Sequence, residues 1–175
     1  MSGIVIVTTT DLPWLVKHPN GRPIITRTAQ LWAQAAGNAD ALLDTPVIVS
    51  GRPVWSLAPL REQVRRRYYG IDENYARRLS EPPSRGGRSV SAPAVLIGIA
   101  EMARLFAVAP QTIRLRRLIA PGQRIPVESF VLAPPDPEEA GTRASPIWEL
   151  AEAETYAGVD QDVAQQLRES HRFER

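Results

Sequence analysis

Residues 53–57 read Pro-Val-Trp-Ser-Leu, and residues 146–150 read Pro-Ile-Trp-Glu-Leu. No other feature constrains the fold as much, because a motif that returns within 175 residues points to one structural unit used twice. Neighbouring segments align with it. Thr10-Asp11-Leu12 with Leu15 corresponds to Ala100-Glu101-Met102 with Leu105, and Thr28-Ala29-Gln30-Leu31 corresponds to Thr112-Ile113-Arg114-Leu115. The offsets are 90, 84 and 93 residues, so insertions fall between elements and not inside them.

Local patterns give each unit the order helix, turn, helix, hairpin, helix. "IVIVT" at 4–8 is β-branched and predicts a strand. Thr9 or Thr10 can cap a helix near Asp11, "HPNGRP" is a turn cluster, and a second helix starts near Thr26 and ends at Gly37. Two apolar runs around Ser50-Gly51-Arg52 predict a hairpin. Apolar residues at 60, 64, 68, 71, 75 and 79 predict one long helix over 60–79, interrupted in composition by Gly70. That helix is also a candidate seam for a homodimer. Residues 80–94, rich in Pro, Gly, Ser and Arg, predict a flexible linker. Organisation resumes with helices over 96–108 and from Pro110, then two short apolar runs, a short helix from Glu149, and a polar helix or tail over 159–175. The expected domains are therefore 1–79 and 95–158. The expected class is α+β, mainly α with small β-hairpins, and the expected core includes Trp55, Trp148, Leu31, Ile113, Met102 and Leu105.

Composition narrows the chemistry. The chain has no Cys, which removes disulfides, thiol catalysis and thiolate metal sites. His18 and His171 stand apart with no ligand spacing, and the acids at 136, 138 and 139 read as solvated charge, so no metal, cofactor or catalytic residue is expected and the chain does not read as an enzyme. The start lacks the basic region of a signal peptide, and the longest apolar run, 92–100, is far too short to span a bilayer. A cytoplasmic, nucleoid-associated protein with no membrane partner is expected. The net charge of +2 conceals an asymmetry: residues 61–124 hold thirteen basic and five acidic side chains, and residues 125–175 hold four and eleven. Every basic residue but Lys17 is Arg, whose fork matches a phosphate or a guanine edge.

"LIGIAEMARLFAVAPQTIRLRR" resembles the helix-turn-helix opening of excisionase-like and MerR-type winged-helix DNA-binding domains. "TRTAQLWAQAAG" resembles the same recognition helix, with Trp32 where those domains commonly carry Trp, and "VSGRPVWSL" resembles the wing. The second unit departs with Arg116 at the Trp position, and the first carries six extra residues in its turn. The resemblance implies tandem winged helix-turn-helix domains that bind double-stranded DNA, as a transcriptional regulator or an excisionase-like architectural factor. A helix seated in the major groove presents its first turns to base edges. That makes Arg27, Thr28 and Gln30 candidate readers in the first unit, and Gln111, Thr112, Arg114 and Arg117 in the second. Arg52 at the hairpin tip is a candidate contact to a phosphate or the minor groove, and Arg65 and Arg66 on the following helix are candidate backbone contacts. A flexible 15-residue linker reaches about 21 Å on average, against about 34 Å between successive major grooves. The acidic stretch from Glu149 supports a different reading, a winged-helix adaptor that contacts protein.

Overall fold

The strand Ile4–Thr8 (β1) sorts its side chains by the two-residue period of extended chain. Ile4 and Ile6 enter one core, and Val5 and Val7 face another. In this computed structural model, which describes residues 3–133 and 144–174, that alternation sets the whole architecture.

After β1 come α1 (Leu12–Leu15), β2 (Val16–Lys17), α2 (Thr26–Ala35), β3 (Val47–Val49), β4 (Arg52–Ser56), α3 (Leu57–Arg66), β5 (Gly70–Ile71), α4 (Glu73–Leu79) and β6 (Ser89–Val90). The second half runs β7 (Ala94–Ile97), α5 (Ile99–Leu105), α6 (Pro110–Ile119), β8 (Phe130–Leu132), β9 (Ser145–Glu149), α7 (Leu150–Ala153), α8 (Gln161–Ser170) and β10 (Arg172–Phe173). The halves build sheets of matching order, β3-β4-β1-β6 and β8-β9-β7-β10, with every pairing antiparallel. The small β2–β5 ladder belongs to the first half.

The register repeats as well as the order. Val7 lies opposite Trp55, and Ile97 opposite Trp148. Ile48 pairs with Pro53, and Val131 with Pro146. Ile4 pairs with Val90, and Ala94 with Phe173. Each Trp of the repeated motif is buried, and its indole N–H donates to a loop carbonyl: Asp44 at 3.0 Å from Trp55, Pro126 at 2.9 Å from Trp148. Asp72 and Asp160 cap α4 and α8, and their amides donate to Leu15 and Leu105 at 2.7 and 2.9 Å.

The sheets face each other across a shared core that includes Ile4, Ile6, Val54, Leu96, Ile147 and Phe173. Their outer faces carry the helices. Leu12, Leu15, Ala29 and Leu60 pack on Val7 and Trp55, and Met102, Leu105, Ile113 and Leu167 pack on Ile97 and Trp148. The result is a mixed α and β arrangement of four layers, helix, sheet, sheet, helix. No helix among the described residues is long and apolar enough to cross a membrane.

Four expectations change. The helix predicted over 60–79 is two helices: α3 ends at Arg66, Tyr68 adopts a left-handed φ of 64°, and Gly70 and Ile71 leave to pair with β2. The dimer seam proposed for a continuous helix loses its basis. Residues 80–94 are not a free linker, because a 3-10 turn at Pro83–Arg85 leads into β6, the fourth strand of the first sheet, and β7 begins at Ala94. Of the two readings of 159–175 the structure has the helix and not the tail: α8 spans Gln161–Ser170, Ala164, Leu167 and Phe173 are buried, and β10 is the fourth strand of the second sheet. A two-residue strand holds too little alternation to register in sequence. Leu31, expected in the core, is exposed on α2, as Leu115 is on α6. The acids at 136, 138 and 139 lie outside the described residues.

Candidate nucleic-acid interface

Helices α2 and α6 stand at equivalent places and are held by narrow seams. Ala29 is the buried residue of α2, and Ile113 that of α6. Trp32 adds an edge-on contact with Tyr69, ring centroids 4.9 Å apart. The approach to α6 is a tight turn. Ala107 has φ 49°, the Val108 amide donates to the Ala103 carbonyl at 2.9 Å, and Pro110 opens the helix where no partner for its nitrogen is needed.

These narrow seams leave the outer faces open. Arg27 and Gln30 on α2, and Gln111 and Arg114 on α6, are exposed, while Thr28 and Thr112 are half-buried. Arg114 leans on Gln111 of its own helix at 3.4 Å. Arg117 differs: its Nε and Nη2 both bond Glu128 Oε1, at 3.0 and 2.6 Å. Burial opposes the Glu128 charge, but Arg117 outweighs it and holds the carboxyl below its ordinary value. Arg117 therefore fastens α6 to the loop before β8. Arg65 and Arg61 share Glu73, at 3.2 and 2.9 Å, while Arg66 is exposed and forms no ion pair among the described residues. The trailing half of α6 is apolar outside as well, with Leu118 and Ile119 72% and 78% exposed, and Val127 in the loop that follows is exposed too.

The hairpin carrying Arg52 is not an outstretched wing. Ser50 and Gly51, with φ of 46° and 77°, make the two-residue turn a right-twisted hairpin prefers. That turn docks on the second half. The Ser50 amide and hydroxyl donate to the two Glu101 carboxylate oxygens at 2.8 and 2.7 Å, and the same carboxylate takes the Gly98 amide at 3.0 Å. Burial opposes the Glu101 charge, yet the facing His171 imidazole and the Ser50 donors override it and bring its pKa to about 2.

The first half answers with the equivalent acid. Asp11, fully buried, accepts from the Thr8 amide and hydroxyl, the Tyr75 hydroxyl and Arg88 Nη1, at 2.7, 2.8, 2.7 and 2.5 Å. Burial first, and Asp11 second, push the Tyr75 phenol upward, so it stays a proton donor. Arg88 then reaches across to the Ala133 carbonyl of the second half at 2.7 Å. Each unit's buried acid thus anchors a contact to the other unit's hairpin. Reciprocal contacts of this kind relate two bodies by an approximate two-fold. The internal repeat aligns Asp11 with Glu101, but nothing local shows that Arg88, 77 residues away, completes the first site.

Compared with known proteins, no family model, no curated protein and no solved structure matches the chain.

Proposed function

We propose that this chain is a sequence-specific double-stranded DNA-binding protein, with two winged helix-turn-helix units that lay α2 and α6 in major grooves while their hairpins stay docked on the opposite halves. Its role is that of a transcriptional regulator or an excisionase-like architectural factor in the cytoplasm, and the reading assigns it no catalysis. One observation carries this. Two equivalent helices each have a single buried residue and present Arg and Gln from their first turns to solvent, Arg27 and Gln30 in one, Gln111 and Arg114 in the other. Arg can bond guanine bidentately and Gln can bond adenine, each worth about 1–3 kcal/mol of discrimination.

The test is a titration of labelled duplexes at several salt concentrations. If about six phosphates are neutralised, log affinity falls with log salt at a slope of roughly −5. Arg114→Ala then relaxes base preference at one or two positions, and Arg66→Ala weakens every sequence about equally. Arg117→Ala acts through the loss of its Glu128 pair and leaves preference intact. Equal losses on all sequences for Arg114→Ala and Arg66→Ala would remove α6 as a reader.

The exposed Leu115, Leu118, Ile119 and Val127 favour a second reading, a winged-helix adaptor that binds protein. An apolar ridge of this kind suits a protein interface better than a charged backbone. Absence of duplex binding at low salt would select it.

A further inference from the structure

We infer that the cleft between the two halves beside Trp14 is a binding site for a small aromatic anion of the mononucleotide class. The cleft encloses about 640 Å³, and its lining includes Trp14, Tyr75, Arg78, Glu81 and Arg85 of the first half and Ala133 of the second. That volume falls in the range of small-molecule sites, roughly 300–1,000 Å³.

The internal repeat supplies a control. An offset of 90 carries Trp14 to Arg104, and the offset of 88 that joins the two capping acids carries Arg78 to Gln166. In the second half those two side chains close on each other, Arg104 Nη2 donating to Gln166 Oε1 at 3.1 Å. In the first half the same two positions stay open. Trp14 is 52% exposed. Arg78 turns instead onto the Tyr75 ring, 5.1 Å from its centroid. Arg85 has no ion pair or side-chain hydrogen bond among the described residues, and neither does the half-buried Glu81 carboxylate. The floor beneath is already engaged, because Tyr75 donates its hydroxyl to Asp11 and Arg88 commits Nη1 to Asp11 and Nη2 to the Ala133 carbonyl. A floor tied down in this way makes a stiff wall, and the side chains left to contact a ligand are Trp14, Arg78, Glu81 and Arg85.

Their chemistry sets three demands on one ligand. A planar ring stacks on the indole face of Trp14, as bases do on aromatic side chains. An anionic group takes the forked donors of Arg78 and Arg85. A hydroxyl or exocyclic amine donates to Glu81. A mononucleotide meets all three, and inorganic phosphate meets one. The site is independent of the duplex reading, and its test contains no DNA.

The experiment is calorimetric titration of the full chain with AMP and, separately, with inorganic phosphate, alongside tryptophan emission. AMP is expected to bind at one site and to quench Trp14, the exposed member of four tryptophans. Phosphate should bind at least about ten-fold more weakly. Arg85→Gln should weaken AMP about ten-fold, as loss of a charge-assisted bond does, with an unchanged melting temperature because the side chain is exposed and unpaired. Trp14→Leu should weaken AMP and abolish the quench. No heat at millimolar AMP would overturn the inference. So would AMP binding that both variants leave unchanged, or phosphate binding as tightly as AMP.

Discussion

Glu101 gives the most direct measure of how the halves are joined. Its carboxylate is buried at the base of α5 and receives the Ser50 amide, the Ser50 hydroxyl and the Gly98 amide. In the folded chain it titrates at about 2, against an ordinary value of 4.5. The folded state therefore holds its charge more tightly than the unfolded state does. Stabilisation from this group is full above about pH 4.5 and drains away as the pH falls toward 2. The gap of about 2.5 units corresponds to about 3 kcal/mol, of which about 2 is lost by pH 3. Glu101→Gln keeps the shape and removes the titration. Urea unfolding of both proteins from pH 7 to pH 2.5 isolates the group, because the other carboxylates titrate in both. At pH 7 the wild type should be the more stable by about 3 kcal/mol, and the difference should shrink by about 2 at pH 3. A difference that stays flat with pH would mean that His171 and the Ser50 turn do not together hold this charge in solution, and the reciprocal joint would lose half its support.

Other perturbations probe the same architecture. Arg88→Met strands the buried Asp11 carboxylate, which should cost about 3–5 kcal/mol in urea unfolding at pH 7. Truncation after Ser170 removes β10 and the buried Phe173, and should cost about 3–5 kcal/mol by the same assay, where a fraying tail would cost nothing. Trp55→Phe and Trp148→Phe each leave a loop carbonyl without its indole donor. Each should cost about 1–3 kcal/mol, and calorimetric melts should show similar losses because the two sites are built alike.

What sequence could show, and what it could not, follows from the range of each interaction. The repeat was legible because its strongest letters are packing letters: Pro53, Val54 and Trp55 take the register of Pro146, Ile147 and Trp148, and a buried indole tolerates few replacements. Helices α2 and α6 were legible from the punctuation around them, Gly37 just past one and Pro110 opening the other. The closing strands were not. Ser89–Val90 and Arg172–Phe173 are two residues long and gain their place from strands more than 75 residues upstream. The stretch 80–94 has the composition of a linker because its turns need Pro and Gly, not because the chain is free there. Leu31 misled in the opposite direction, since helical spacing marks a face as apolar without saying what covers it.

The rigid joint also changes what two units can do with one duplex. A flexible tether would let each unit choose its groove and would accept half-sites in either orientation. Here no tether exists, because β6 is zipped to β1 and β7 follows within four residues. The spacing of α2 and α6 is set instead by the shared core of Ile6, Leu96, Ile147 and Phe173 and by the crossed contacts of Glu101 and Arg88. Bodies joined by reciprocal contacts face each other head to head. On the proposed reading, α2 and α6 then enter a duplex in opposite senses and ask for inverted half-sites at one spacing. Because Arg27 and Gln30 differ from Gln111 and Arg114, the two halves of that site differ in sequence. Duplexes carrying the same half-sites as a direct repeat, or with five base pairs inserted between them, should engage one unit and bind as weakly as a lone half-site. Equal affinity for the inverted and direct arrangements would mean that the units part in solution, against the packing of their sheets.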